Sequence, residues 1–140
     1  CLGRGLLVLT EVGHLTQEEL AVLDTLWNHH DIGCQNIVRF AETEGHTISP
    51  RELQSIVNGL YQKGLVQITS VEENRILKTK INHYGAIPSR EEYLAAVLQR
   101  NPIYQESMLS DVISQILTDT KKETIQKVYD TILSEKERRK

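Results

Sequence analysis

From Leu15 onward the chain alternates between apolar stripes at helical spacing and short polar interruptions, and the stretch Ser49 to Lys80 orders the rest. Ser49, Pro50 and Glu52 supply an N-cap, a proline at the first helical position and a capping-box carboxylate. Leu53, Ile56, Val57 and Leu60 follow at i, i+3, i+4 and i+7, which predicts an amphipathic helix with that face turned inward. Lys63-Gly64 supplies a cationic last turn and a left-handed stop, and Leu65 to Thr69 begins a β-rich run. Glu72-Glu73-Asn74 reads as a loop tip, with Arg75 to Ile81 as the returning strand.

The same signals recur on both sides. Thr16 with Glu19 is a capping box ahead of Leu20, Leu23, Leu26 and Trp27, an inner helical face ending near His29. Asp31-Ile32-Gly33 breaks the chain, and Ile37, Val38 and Phe40 mark a second helix from about Cys34 to Glu44, closed by Gly45. After the hairpin, Ser89 with Glu92 opens a helix striped by Tyr93, Leu94, Val97 and Leu98, interrupted at Asn101-Pro102. Ile103 to Leu117 resumes helical spacing, and Thr120 with Glu123 opens a last helix carrying Ile125, Val128, Tyr129, Ile132 and Leu133. Leu6 to Thr10 is read as a short strand without an assigned role. The expected fold is mainly α with a small β-hairpin: a winged helix-turn-helix over residues 1–84, followed by a helical region over 85–140.

Charge sharpens this picture. Residues 1–50 carry two Lys/Arg against seven Asp/Glu, residues 51–80 five against three, and residues 81–140 nine against nine, giving −5, +2 and 0. The only net-positive block is therefore the helix and hairpin, and its charge is modest for a nucleic-acid binder. On the helix face opposite the apolar stripe, Arg51, Gln54, Ser55 and Asn58 form a row suited to base edges. Lys63, Arg75, Lys78 and Lys80 are the candidate phosphate contacts. The last helices carry more apolar surface than they can hide against one another. Leu94, Leu98, Leu109, Val112, Ile113, Ile116, Leu117, Ile125, Val128, Tyr129, Ile132 and Leu133 are accordingly the expected homodimer interface, rather than one compact core with the first domain.

The order and spacing resemble the penicillinase-repressor family, which includes methicillin-resistance and copper-responsive repressors. Three stretches carry the resemblance: Leu15 to Trp27, Ile48 to Val66, and the Tyr129-Asp130-Thr131-Ile132-Leu133 ending. It implies a homodimeric bacterial repressor with its winged helix on palindromic operator DNA and its C-terminal helices in the dimer. Arg51, Ser55, Tyr61 and Lys63 match the family in kind, whereas Gln54, Glu52 and Gly59 stand where it has a basic residue, a threonine and an arginine. The family's operator sequence is therefore not carried over. Phe40, the only phenylalanine, lies outside the region where antibiotic-responsive members are cut at an Asn-Phe bond, and no cysteine follows Cys34 to form the copper-responsive pairs.

Other chemistry is sparsely represented. Two cysteines make no disulfide framework and favour a reducing compartment, so a cytoplasmic location is expected. Leu6 to Leu9 is far short of a signal-peptide core or a membrane span. His29, His30, Asp31 and Cys34 have metal-ligand chemistry, but helix-end histidines and a core cysteine account for them, and no metal or cofactor is assigned. No nucleophile elbow, P-loop or HExxH motif is present, so an enzyme is not expected. The expected partners are double-stranded DNA and a second copy of the chain, with no membrane and no specified effector. The alternative is a winged-helix protein-interaction module, motivated by the acidic first fifty residues and Gly59.

Overall fold

The computed structural model describes residues 15–139, so the strand expected at Leu6 to Thr10 lies outside the described residues. The described chain is mainly helical with one antiparallel hairpin, in the order α1 (Gln17–Asn28), α2 (Cys34–Thr43), α3 (Pro50–Gln62), β1 (Val66–Asn74), β2 (Thr79–Ala86), α4 (Arg90–Arg100), α5 (Leu109–Leu117) and α6 (Lys122–Arg138). A 3-10 turn, Glu106–Met108, precedes α5. Two compact units divide after Pro102. The boundary expected at residue 84 is thus displaced: α4 belongs to the first unit because Tyr93 and Ala96 complete its core.

That core joins Val22, Leu23 and Leu26 of α1 to Ile37 and Ala41 of α2, Leu53, Val57 and Leu60 of α3, and Leu65, Val66 and Tyr84 at the hairpin base. The apolar face expected of α3 is the one buried, although Ile56 remains half-buried. On α1 the buried face is rotated. Leu20 is exposed and Trp27 half-buried, while Glu19 and Thr25 point inward. The Thr25 hydroxyl is satisfied by the Ala21 carbonyl. The Trp27 ring reaches out of α1 to donate from Nε1 to the Pro88 carbonyl at 2.9 Å and lies 5.5 Å from the Tyr93 ring, fixing the start of α4.

Glu19 is buried because two residues, Thr16 and Lys63, hold it. Its carboxylate accepts the Thr16 backbone N–H at 3.0 Å and the Lys63 ammonium at 3.0 Å, and its own N–H bonds the Thr16 hydroxyl. One side chain therefore closes the capping box of α1 and binds the C-terminal end of α3. Gly59 makes room for it: a Cβ there would lie 3.3 Å from Glu19 Oε2. The glycine read as a missing DNA contact is a packing site.

Two of the four expected capping boxes form, at Thr16 and Ser89. Ser49 is the N-cap of α3 without a side-chain bond, because its backbone ψ is 122° rather than near 167° and its own carbonyl already accepts the Glu52 N–H. The last helix begins at Lys122 instead of from a Thr120 cap, since the Thr120 hydroxyl donates back to the Ile116 carbonyl. Gly45 and Gly64 end α2 and α3 with positive φ of 87° and 76°, the left-handed stops that glycine adopts without strain.

The hairpin departs from expectation at its tip. β1 runs on through Glu72-Glu73-Asn74, and the turn is Arg75 to Lys78, so only Lys80 of the three expected basic residues lies on a strand. Glu72 and Glu73 stay in the ladder because they pair with Ile81 and Lys80. At the base, Ile32 forms an antiparallel bridge to Tyr84, a third chain segment against β2.

In the second unit, residues 103–139, none of the described side chains is fully buried. Val112, Ile113, Leu117 and Val128 are half-buried, while Ile116 and Tyr129 are 63% and 61% exposed. A segment this short with no buried residue lacks the core that a self-sufficient domain requires. No helix among the described residues is long and apolar enough to cross a membrane.

Burial alone would raise the Glu19 pKa, but the Thr16 and Lys63 bonds outweigh it and hold the carboxyl below its ordinary value of 4.5. A carboxyl whose pKa is depressed by folding stabilises the fold above its unfolded value and loses that contribution as pH falls through the folded one. Lys63→Met, which leaves the carboxylate uncompensated, is expected to cost about 2–3 kcal/mol at pH 7. Urea unfolding should show the advantage of wild type over Glu19→Gln shrinking as pH falls from 5 toward 3 (roughly the carboxylate range).

Candidate nucleic-acid interface

The residues singled out on α3 emerge together on its exposed face. Arg51, Gln54, Ser55 and Asn58 are all exposed, because Leu53, Val57 and Leu60 take the opposite side into the core. Gln54 organises the row. Its Nε2 donates to Asn58 Oδ1 at 3.0 Å and, more distantly at 3.5 Å, to the Tyr84 hydroxyl. The Cys34 thiol at the start of α2 lies 3.6 Å from Gln54 Oε1. The polar face of α3 is thereby tied to the start of α2 and to the base of β2, a pre-positioned surface rather than a row of independent side chains. Burial pushes the Cys34 thiol above its ordinary pKa, keeping it protonated and able to donate.

The basic residues divide. Lys63 is withdrawn from the expected set: it is paired with Glu19, and a lysine committed to a buried carboxylate cannot also neutralise a phosphate. Lys80 pairs with Glu73 at 3.6 Å in an exposed cross-strand contact worth at most a fraction of a kcal/mol. Among the described residues, Arg51, Arg75 and Lys78 have no side-chain ion pair or hydrogen bond, and they sit at the start of α3 and in the hairpin turn.

The hairpin is aimed by an anchor that the sequence does not advertise. Asp31 adopts a positive φ of 62°, and its Oδ1 accepts from the hydroxyls of both Thr69 and Ser70. Successive residues of a regular strand point to opposite faces, so two neighbouring hydroxyls could not converge on one carboxylate. A β-bulge resolves this: the register slips between Ile68 and Ser70, leaving Thr69 as the extra residue. The Ser70 and Thr69 bonds hold the Asp31 carboxyl below its ordinary range. His83 stands beside this anchor, with Nε2 3.2 Å from Glu72 and Nδ1 4.0 Å from Asp31. Gly85 permits His30 to cover β2, since a Cβ there would lie 2.2 Å from the His30 ring.

The four residues with metal-ligand chemistry diverge. His29 stacks on Phe40 at 3.8 Å, His30 covers Gly85, Asp31 binds the bulge and Cys34 faces Gln54. Among the described residues no group of three such side chains converges.

The expected dimer residues also separate by unit. In the first, Leu94 is 61% exposed and Leu98 half-buried, because α4 turns Tyr93 and Ala96 inward instead. In the second, Leu109, Ile116, Ile125, Tyr129, Ile132 and Leu133 are exposed, while Val112, Ile113, Leu117 and Val128 are half-buried.

Comparison of the chain with protein-family models gives no match, and comparison with curated proteins gives none.

Asp31→Ala removes both bulge hydrogen bonds and places alanine at a positive φ, which it tolerates poorly. The expected result is faster amide exchange across residues 66–86, with slow exchange retained by the core amides of α1 and α3.

Proposed function

We propose that this protein is a dimeric DNA-binding transcriptional regulator, a repressor acting by occupancy of a palindromic operator through a winged helix-turn-helix. In this reading α2 and α3 form the helix-turn-helix, α3 enters the major groove, and the β1–β2 hairpin is the wing. The order of helices, the Ile32 bridge and the two-stranded hairpin support it. The observation that carries it is the disposition of cations. Lys63 and Arg90 are committed to Glu19 and Asp24, while Arg51, Arg75 and Lys78 have no side-chain partner among the described residues and lie at the start of the reading helix and the tip of the wing. Arg51, Gln54, Ser55 and Asn58 address base edges; Arg75, Lys78 and Lys80 address phosphates.

The second unit supports the dimer. Its exposed Leu109, Ile116, Ile125, Tyr129, Ile132 and Leu133 would be covered by the same helices of a second copy, which supplies the core that one copy lacks. Two heads related by a two-fold axis read half-sites about one helical turn apart. The withdrawal of Lys63, together with Glu72 and Glu73 on the hairpin, favours a second reading, in which the same helix and hairpin bind a protein partner.

Selection from a random duplex library at low and moderate salt separates the two readings. A recovered palindrome supports the regulator, and a folded dimer that recovers no motif supports the protein-binding module. Lys78→Ala is expected to weaken binding to all duplexes alike and reduce the salt slope by about one per half-site. Ile116→Glu should abolish self-association in sedimentation measurements; retention of the dimer would remove α5 from the interface.

A further inference from the structure

The turn of the hairpin carries an apolar pair where a solvent-facing loop ordinarily carries polar residues. Ile76 is 92% exposed and Leu77 69% exposed. Their backbone is held rather than loose. The Asn74 side chain accepts the N–H groups of both Ile76 and Leu77, at 3.1 and 3.0 Å, and Lys78 takes a positive φ of 54° to complete the turn. Of the nine residues of β1 only Val66 is buried, so the outer hairpin stands clear of the core. At about 3.3 Å per residue, Asn74 lies roughly 26 Å along the strand from Val66.

We propose that Ile76 and Leu77 form an apolar wedge that the wing inserts into the minor groove, partly unstacking a base step and bending the duplex. This rests on the DNA-binding reading above and specifies how the wing engages its site. The charges beside the pair favour nucleic acid as its occupant: Arg75 precedes it and Lys78 follows it, neither with a side-chain ion pair or hydrogen bond among the described residues, whereas the carboxylates of the arm, Glu73 and Glu72, are engaged by Lys80 and His83. The cations face the phosphates on either side of the groove while the apolar pair enters between them, the division of labour of minor-groove proteins that kink DNA. The 26 Å reach exceeds the roughly 7.5 Å depth of that groove, so the tip can enter while the base of the hairpin stays beside α3. A wedge favours steps that unstack easily, so the wing contributes a preference for a pyrimidine–purine step, above all TA, beneath its tip.

The test uses the full chain and end-labelled 40-base-pair duplexes, one mixed in sequence with TA steps throughout and one lacking TA, CA and TG steps. Energy transfer between the ends reports bending. The expected result is a bend of about 20–90° on the first duplex and weaker binding to the second. In I76S/L77S the bend is lost and affinity for the first duplex falls to that for the second, while the salt slope is unchanged because no phosphate contact is removed. The exposure of both side chains leaves folding intact, which circular dichroism checks. If the wild type binds without bending, or the double variant bends equally, the wedge is overturned and the DNA-binding reading stands. If the folded wild type binds neither duplex at low salt, both fall together.

Discussion

The Glu19 carboxylate is the constraint on which the first unit depends. It closes the first turn of α1, fixes the last turn of α3 through Lys63 and occupies the space left open by Gly59. A buried carboxylate is tolerable only when its charge and lone pairs are satisfied, so the angle between α1 and α3 is set by hydrogen-bond geometry as well as by packing. The exit of α3 inherits that precision. Gly64 turns immediately after Lys63, Leu65 donates its N–H back to Leu60, and β1 begins one residue later.

From that fixed exit, the remaining polar contacts determine what the α3 face presents. Gln54, Asn58, Tyr84 and Cys34 come from α3, β2 and α2, and their bonds restrict the side chains before any ligand arrives. Ordering side chains in advance lowers the entropy lost on association. The same economy operates at the other end of the hairpin, where Asn74 shapes the turn with a single side-chain oxygen.

Much of the fold was legible because it rests on local signals. The caps at Thr16 and Ser89, the stripe on α3 and the left-handed glycines at 45 and 64 depend on residues within a turn or two of one another. What escaped depends on distant partners. Nothing near Glu19 in sequence predicts that Lys63 will meet it, and without that pair a glutamate at a core position reads as a surface residue. Ser49 carried every local mark of a capping box, yet its carbonyl won the Glu52 N–H. Polarity alone does not locate the hairpin tip, since Glu72 and Glu73 lie in the ladder and the turn holds Ile76 and Leu77. Of the candidate site, the α3 row was visible from helical periodicity. The Asp31 anchor was hidden, since a left-handed aspartate and a bulge are recognised only when the strands are paired.

The bulge at Thr69 also makes the hairpin a device of parity. Side chains alternate faces along a regular strand, and a bulge sets one surplus residue outside that alternation. Without Thr69 the alternation of β1 would be regular, and Ser70, Val71 and Glu72 would still share faces with His83, Asn82 and Ile81, because cross-strand partners lie on one face and β2 is unchanged. The surplus residue thus absorbs the odd count of β1 locally: it sets two neighbouring hydroxyls on the Asp31 side while the outer arm keeps the faces that β2 dictates, so a one-residue change in length at this point is spent on the anchor and not passed on to the tip.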